Sequence, residues 1–186
     1  MHPPVLTTDR LILRALQEDD AGDMYMYASD ADVTRYLLWD PHESVSWTRE
    51  YLRFLQGEYA AGRFFDWAIV LKDTRGREEE MIGTVGFASF DFTDNSAEIG
   101  YVVSPSYKDC GYATEAVARV LRFAFQELEL NRVQARYIRG NNASRRVMQK
   151  CGLREEGLLR GSILLRGEYV DVGLCAILAG EWYRGR

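Results

Sequence analysis

The stretch Ser104–Phe125, SPSYKDCGYATEAVARVLRFAF, passes without a linker from a polar turn to an apolar pattern at helical spacing. Small and apolar residues at three- and four-residue steps predict a helix that begins after Gly111 and buries one face. These residues are Ala113, Val117, Val120, Leu121, Ala124 and Leu128. No Ser, Thr or Asn stands directly before Gly111 to cap the first amides. Those N–H groups therefore bond either to water or to a ligand.

An anion is one candidate partner for this turn, because backbone N–H groups and the positive end of the dipole point outward together at a helix N-terminus. The amides from Asp109 to Thr114 can hold a diphosphate, and Gly111 leaves room for its close approach. The alternative is an ordinary turn in which Gly111 only permits a left-handed backbone. The loop matches neither GxGxxG nor GxxxxGK[ST], so a dinucleotide or nucleoside triphosphate site lacks its motif.

The remaining periodicity predicts a mixed α/β fold formed by one domain over residues 1–186. Predicted strands cover 5–14, 64–71, 81–90, 97–103 and 132–138, followed by a hairpin that turns at Arg166–Gly167. Predicted helices begin at Glu18, run from Glu43 to Ala61 before Gly62, and run from 142 to 152, closing at Gly152. Strands 64–71, 81–90 and 97–103 form an antiparallel meander, and a strand–helix–strand crossover over 97–138 makes its two strands parallel.

Composition narrows the functional class. A net charge of −5 argues against a general nucleic-acid binder, and no apolar run approaches the length of a membrane span. The N-terminus has no basic and apolar regions of a signal peptide. Three cysteines at no metal-like spacing favour a reducing, cytoplasmic protein without a disulfide framework or a metal. No histidine accompanies Cys110 in its segment, which argues against a covalent mechanism through that thiol.

Charge is unevenly distributed along the chain. Residues 1–50 carry ten acidic side chains against four basic ones, whereas residues 119–160 carry ten basic against four acidic. Both regions can be solvated faces. Alternatively, a polyanionic ligand lies near the second region and a cationic one near the first.

Glu98 lies in the middle of the strand AEIGYVV, where alternation places it on one face with Gly100 and Val102. A carboxylate there is costly unless that face borders water or a ligand. With the space left by Gly100 beside it, Glu98 can accept a proton from an incoming amine. The alternative is a strand Glu that faces solvent.

Asn141 and Ser144 stand at the start of a predicted helix. At a three-residue separation they can form a capping arrangement. Their polar groups can instead reach a ligand that lies between this helix and the Gly111 turn.

Five segments together resemble the GNAT superfamily of N-acetyltransferases, in the branch of the ribosomal-protein alanine acetyltransferases of the RimJ/RimL type. They are TTDRLILRAL (7–16), EDDA (18–21), AEIGYVVSPSYKDCGYATEA (97–116), NNASRRVMQKCGLREEG (141–157) and GEYVDV (167–172). The resemblance covers nearly the whole chain. It implies a mostly antiparallel sheet with one splayed parallel pair flanked by helices, and an acetyl-coenzyme A dependent enzyme without a metal.

By this resemblance, Lys108-x-x-Gly111-x-Ala113 corresponds to the loop whose amides wrap the coenzyme A pyrophosphate, and the pantetheine arm bonds to the backbone of Tyr101–Val103. The implied cofactor-binding residues are Tyr101, Val102, Val103, Lys108, Asp109, Cys110, Gly111, Tyr112, Ala113, Thr114, Asn141 and Ser144. The implied mechanism is direct attack of a neutral amine on the thioester. Glu98 is the implied base, through water, and Ser144 the donor to the departing sulfur.

The sequence departs from the family pattern at Met148, where many relatives carry a Tyr general acid, and at Lys108, where Arg or Gln is usual. Because Met148 cannot donate a proton, Ser144 is the implied proton donor to the sulfur. The missing Tyr also leaves open a non-catalytic acyl-coenzyme A binding module. The acceptor is a protein N-terminus by resemblance, with a polyamine or an aminoglycoside as alternatives. A homodimer stays open, and Tyr169 and Asp171 of the last hairpin are further candidates to reach the acceptor.

Overall fold

Strands and helices alternate along the residues that the computed structural model describes, which are 3–62 and 65–185. The strands are β1 (Leu6–Thr7), β2 (Leu11–Arg14), β3 (Asp66–Lys72), β4 (Glu78–Asp91), β5 (Ser96–Val103), β6 (Arg132–Ile138), β7 (Arg154–Leu165) and β8 (Glu168–Leu178). The α-helices are α1 (Ala21–Ala28), α2 (Ala31–Thr34), α3 (Val45–Ala60), α4 (Tyr112–Gln126), α5 (Asn142–Lys150) and α6 (Ala179–Arg184). Short 3-10 helices cover Glu18–Asp20 and Pro105–Tyr107.

The strands follow the order β1-β2-β3-β4-β5-β6-β8-β7. The pairs β1–β2, β2–β3, β3–β4, β6–β8 and β7–β8 are antiparallel. β5 and β6 are parallel, with Ser96 opposite Arg132 and Glu98 opposite Gln134. The predicted crossover is confirmed, and with it the mixed sheet with one parallel pair.

Two compact units make up the described chain. The first contains the residues up to Gly86 together with Tyr101–Arg119, and the second contains Phe87–Gly100 and the residues from Val120 onward. β4, β5 and α4 each contribute to both units. The single domain inferred from the sequence stays a prediction.

In the first unit, the core forms where one face of β3 meets α1 and α3. Ala68 and Val70 alternate onto that face and are fully buried, as are Tyr27 of α1 and Leu52 and Tyr59 of α3. The three- and four-residue spacing on α3 supplies its apolar side. In the second unit, β6 pairs with β8 along its full length, and the Phe125 and Trp182 rings lie 5.4 Å apart between their centroids.

Most of the predicted elements are present. The hairpin turns at Arg166 and Gly167, with φ of 47° and 87°, and Gly62 and Gly152 follow α3 and α5 with φ of 69° and 88°. The predicted buried face of α4 holds for Val117, Val120, Leu121 and Ala124, whereas Ala113 and Leu128 are only partly buried. The strand predicted from 64 is described from Asp66 onward; Phe64 lies outside the described residues.

The prediction of one strand over residues 5–14 is wrong. Thr8 N–H donates to the Leu11 carbonyl at 3.0 Å, and Leu11 N–H donates to the Thr8 hydroxyl at 2.9 Å. These bonds close a turn, so the segment folds back as the β1–β2 hairpin. A Ser or Thr hydroxyl can replace a strand partner in this way, which composition alone does not reveal. Helices α2 and α6 were not predicted.

No described helix has both the length and the apolar character needed to cross a membrane. Within residues 3–62 and 65–185, no group of three His, Cys, Asp or Glu side chains is placed to hold a metal ion.

Candidate active site

The Gly111 turn is an exposed left-handed loop at the start of α4. Asp109 and Gly111 have φ of 61° and 83°, and the side chains from Lys108 to Cys110 are exposed. The first helical bond runs from Glu115 N–H to the Gly111 carbonyl, at 3.0 Å. In the described part of the chain, no side chain is recorded capping the amides of Tyr112 or Ala113. The turn therefore has the left-handed backbone expected of an ordinary glycine turn. It also has the uncapped helix amides expected of an anion site.

Arg10 fixes this loop from the β1–β2 hairpin. Its Nη1 donates to the Cys110 carbonyl at 3.0 Å, and its guanidinium lies 4.4 Å from the centroid of the Tyr112 ring. A Cβ placed at Gly111 would come within 3.5 Å of Arg10 Nη2. One cation therefore contacts the loop on both sides of its glycine.

Glu115, in the first turn of α4, anchors Arg10 in turn. Its carboxylate accepts from Thr8 Oγ1 at 2.6 Å, from Arg10 N–H at 3.0 Å and from Arg10 Nε at 2.7 Å. Burial alone would raise the pKa of Glu115, but these hydrogen bonds from Thr8 and Arg10 outweigh it and the pKa is lowered. Glu115 is therefore ionised at neutral pH and holds the start of α4 to the hairpin.

The end of β5 lies in the same unit as this loop. Ser104 N–H donates to the Ile82 carbonyl at 2.8 Å, and a Cβ placed at Gly83 would lie 2.2 Å from the Val102 carbonyl oxygen. Gly83 is therefore required for the close approach of β4 to β5. The first unit thus brings together two predicted sets of cofactor-binding residues, Tyr101–Val103 and Lys108–Thr114.

Glu98 lies in the second unit, on β5, and is bound by two side chains of β6. Arg136 Nε donates to Glu98 Oε1 at 2.8 Å, and Gln134 Nε2 donates to Glu98 Oε2 at 3.2 Å. The Glu98 side chain is 13% exposed. The expectation of a solvent-facing Glu does not hold, and a Cβ placed at the adjacent Gly100 meets no atom within 4 Å.

Parallel pairing ends beside Glu98. Among the described residues, the last β5–β6 partners are Glu98 and Gln134, although β5 continues to Val103 and β6 to Ile138. The backbone of both strands beyond this point is not used in their mutual ladder.

At the start of α5, the Asn141 side-chain oxygen accepts from Ser144 N–H at 3.1 Å. The capping alternative is therefore confirmed. Because an Asn amide has separate donor and acceptor ends, the Asn141 NH₂ group can also donate to a ligand. Met148, at the position where relatives carry a Tyr, is only 1% exposed.

A cavity of about 370 Å³ opens beside this helix start in the second unit. Its lining is Tyr137, Arg139, Gly140, Asn142, Arg145, Glu155 and Leu158. Arg145 and Glu155 form an ion pair across it, with Nη2 and Oε2 2.5 Å apart.

Several acids of the charged N-terminal region have structural roles. Asp20 binds Arg14 through both oxygens, at 2.7 and 2.8 Å, and Asp30 caps α2 by accepting from Asp32 N–H.

In the last hairpin, Asp171 binds Arg139 at 2.9 Å and accepts from Gly161 N–H at 2.9 Å. These bonds engage both of its oxygens, which does not favour the expected contact of Asp171 with the acceptor amine. Tyr169 is 74% exposed.

Comparison with known proteins agrees with this arrangement. The acetyltransferase (GNAT) domain family matches residues 10–154. The chain belongs to the GNAT family of acetyltransferases. An uncharacterized N-acetyltransferase of Bacillus subtilis (strain 168), YoaA, is 33% identical over 94% of this chain and 97% of its own. The crystal structure of a GNAT-family acetyltransferase from Bacillus anthracis superposes with a TM-score of 0.83, at 28% identity, over 95% of this chain and 99% of that chain.

Two GNAT relatives have named acceptors. The [ribosomal protein uS5]-alanine N-acetyltransferase of Escherichia coli (strain K12) is 25% identical over 97% of this chain and 94% of its own. The spermidine N(1)-acetyltransferase of Vibrio cholerae is 25% identical over 93% of this chain and 95% of its own. The RimJ/RimL resemblance is confirmed, and GNAT enzymes use acetyl-coenzyme A as the acetyl donor.

Sequence reasoning missed the residues that position the GNAT loop and Glu98. Arg10 and Glu115 lie 105 positions apart in the chain, so their contact has no local signature. The contacts of Gln134 and Arg136 with Glu98 could have been predicted from the sequence. Alternation places both residues on one face of β6, and β6 was predicted to be parallel to the strand of Glu98.

Proposed function

We propose that this chain transfers the acetyl group of acetyl-coenzyme A to a primary amine, by direct attack in a ternary complex. The observation that carries the proposal is the exposed Gly111 turn, fixed by Arg10 and Glu115, in one unit with Tyr101–Val103. The end of β5 suits the pantetheine arm that carries the thioester. The open amides at the start of α4 suit the diphosphate that follows it.

The donor is bound mainly through backbone. The amides of the loop, from Lys108 to Thr114, hold the pyrophosphate, and Tyr101, Val102 and Val103 hold the pantetheine arm by their peptide groups. The open face of the loop and its left-handed residues support this assignment. Asn141 contributes its NH₂ group, because its oxygen caps α5.

In the chemical step, the nitrogen lone pair adds to the thioester carbonyl, the C–N bond forms and the C–S bond breaks. Glu98 accepts a proton from the amine through water, and Ser144 donates to the departing thiolate. The two β6 donors support this role for Glu98, since they hold its carboxylate in a fixed orientation. Met148 has no proton to donate, so the sulfur depends on Ser144.

The proposed acceptor is a protein N-terminus, as in the uS5 relative. The spermidine relative supports a polyamine as the second candidate. We assign no role to nucleic acid or membrane. We place the enzyme in the cytoplasm, which three cysteines at no disulfide-framework or metal-like spacing support, and leave a homodimer as a prediction.

The test is thiol release from acetyl-coenzyme A with three probes: a peptide with N-terminal alanine, spermidine and an aminoglycoside, each product being checked by mass spectrometry. A peptide-specific product supports the protein N-terminus, and a spermidine-specific product supports the polyamine. Thermal stabilisation by acetyl-coenzyme A without turnover on any probe would support the non-catalytic binding module instead.

A further inference from the structure

The inference rests on the acetyl transfer proposed above and concerns the first proton that the acceptor must lose. A primary amine enters as an ammonium with three N–H bonds, and the amide product keeps one. One of the two departing protons ends on the coenzyme A sulfur. The other must leave before attack, because an ammonium has no free lone pair and an α-amino group has a pKa of about 8.

Asp66, the first residue of β3, has the geometry for this task. It lies opposite Gly86 of β4, and a Cβ placed at Gly86 would come within 1.8 Å of Asp66 Oδ1. The carboxylate therefore occupies the space of a missing side chain. Within residues 3–62 and 65–185, no group is recorded donating a hydrogen bond to it or pairing with it, although it is partly buried. A mostly buried carboxylate without a protein donor takes its hydrogen bonds from water or from a ligand.

Asp66 lies on the face of β3 that leads to the donor strand. Alternation puts it in a row with Ala68 and Val70, and those two residues belong to the core cluster against which Val102 of β5 packs. Val102 is one of the residues assigned to the pantetheine arm. Asp66, Val102 and the Gly111 turn thus belong to one unit.

Three tyrosines surround Asp66. The Tyr59 hydroxyl donates to the Asp66 carbonyl at 2.7 Å and accepts from Leu16 N–H at 3.1 Å, which fixes the backbone of Asp66. Tyr27 is fully buried, and its hydroxyl lies beside the Thr84 side chain. Burial, and then the charges of neighbours that include Asp66, raise the pKa of Tyr27 and the pKa of Tyr51, the latter to about 12.

An aromatic surface leads from solvent to Tyr51. Trp47 is 43% exposed and stacks on Tyr51 at 5.9 Å between centroids, and His42 lies 4.5 Å from Trp47 and 5.8 Å from Tyr51. Trp39 lies 5.3 Å from His42. Burial lowers the pKa of His42, so this ring is neutral near pH 7 and does not repel a cation. Aromatic faces attract ammonium groups.

We propose that Asp66 accepts the proton of the acceptor ammonium at the inner end of this aromatic surface, before the amine attacks. The N–H bond breaks, its electron pair stays on nitrogen, and the proton moves to the carboxylate and then to solvent. The second N–H proton passes through water to Glu98 during attack, Ser144 donates its hydroxyl proton to the departing sulfur, and the proton held by Glu98 returns through water to Ser144.

Burial raises the pKa of Asp66 to about 7, close to the optimum for a general base near neutral pH. The titratable groups that interact with it are the neutral phenols of Tyr27 on α1 and of Tyr51 and Tyr59 on α3. No cation faces Asp66 among these groups.

The experiment compares kcat/KM across pH 5.5–9 for the wild type, Asp66→Asn and the exposed control Asp94→Asn, with the alanine peptide and spermidine as probes. We expect Asp66→Asn to lower kcat/KM at pH 7 by about 10²-fold, to lose the ionisation near pH 7, and to recover as the free amine increases at high pH. Its affinity for acetyl-coenzyme A should stay within about twofold. Asp94→Asn should match the wild type.

Gly86→Ala is the second variant, because its methyl group would lie 1.8 Å from Asp66 Oδ1 and 2.5 Å from the Asp66 Cα, and so must displace Asp66 without removing its carboxylate. It should lower kcat/KM and leave acetyl-coenzyme A binding unchanged. If the wild type transfers acetyl and Asp66→Asn keeps both its rate and its pH profile, the role of Asp66 is overturned and the proposed function stands. If the wild type transfers acetyl to no probe, the proposed function fails, and this inference with it.

Discussion

At the scale of single residues, Glu98 is held rigidly although it was predicted only as a carboxylate beside a space. Arg136 and Gln134 each donate to one of its oxygens. These two bonds hold the carboxylate in place and engage both of its oxygens. Because an acceptor ammonium must lose two protons, the first is assigned to a second carboxylate, Asp66.

Replacing Glu98 by Gln tests its role. The amide keeps the shape, so acetyl-coenzyme A should bind with nearly unchanged affinity while kcat falls by about 10²-fold, the usual range for loss of general-base catalysis. Titration calorimetry and thiol-release kinetics measure the two quantities separately. Glu156→Gln is the matched control, since Glu156 also pairs with a β6 arginine, Arg132, and has no assigned role. Equal turnover of Glu98→Gln and wild type would remove Glu98 from the mechanism.

The positions of single residues were predictable where a local pattern decides them. Gly111, Glu98 and Asn141 lie at the helix start, in the strand and at the cap that the sequence indicates, and the roles of Glu98, Asn141 and Ser144 in acetyl transfer stay predictions. Asp66 could not be found in this way, because an Asp at the start of a predicted strand is an ordinary boundary residue. Its significance comes from Gly86 and from three tyrosines that are distant in sequence.

At the scale of elements, α4 is positioned by the β1–β2 hairpin. Arg10 contacts the loop carbonyl of Cys110 and the Tyr112 ring, and Glu115 binds Arg10 through both of its oxygens. The segment TTDRLILR was predicted as a continuous strand, and the turn at Thr8 is what places Arg10 at the start of α4. The existence of the elements was thus readable from periodicity, whereas their contacts were not.

Arg10→Gln should weaken acetyl-coenzyme A binding by about tenfold, the order of one charge-assisted hydrogen bond. The Gln side chain cannot bind Glu115 through a fork of donors and contact Cys110 at the same time. Titration calorimetry measures the effect, with the exposed Arg49→Gln as the charge-matched control. If both variants bind as tightly as the wild type, the hairpin does not organise the loop.

Gly111→Val tests the loop backbone itself. Gly111 has a φ of 83°, which a β-branched residue adopts only with strain, so the variant should lose about 1–3 kcal/mol of stability. Its side chain would also block the loop amides, and acetyl-coenzyme A affinity should fall with it. Gly57→Ala is the matched control, because a Cβ at this helical glycine meets no atom within 4 Å and Ala should stabilise α3. Unchanged binding by Gly111→Val would exclude the turn as the diphosphate site.

At the scale of the whole molecule, paired carboxylates and the buried Asp66 affect the free energy of unfolding over different ranges of pH. Hydrogen bonds and ion pairs lower the pKa of Asp73, Glu156 and Asp171. Each of these groups stabilises the fold above its ordinary pKa of about 4, and this contribution is lost as pH falls through the lowered value. They therefore act on the acid side only.

Asp66 acts in the opposite direction and over a different range of pH. Burial raises its pKa from 3.8 to about 7, so between these values the folded chain binds a proton that the unfolded chain has released. The free energy of unfolding must then decrease as pH rises from about 4 to about 7, and level off above. His42, whose pKa is lowered by burial, contributes in the reverse sense below its ordinary pKa, so the wild-type curve alone does not isolate Asp66.

The difference between wild type and Asp66→Asn does isolate it. Urea unfolding at pH 4.5, 5.5, 6.5 and 7.5 should show the variant gaining stability relative to the wild type at each step, because Asn cannot ionise in the buried position. Asp94→Asn, with an exposed side chain, should run parallel to the wild type. A constant difference between wild type and Asp66→Asn across this range would mean that Asp66 ionises as it does in the unfolded chain. Such a carboxylate would be a far weaker base at pH 7 than acetyl transfer from this position requires.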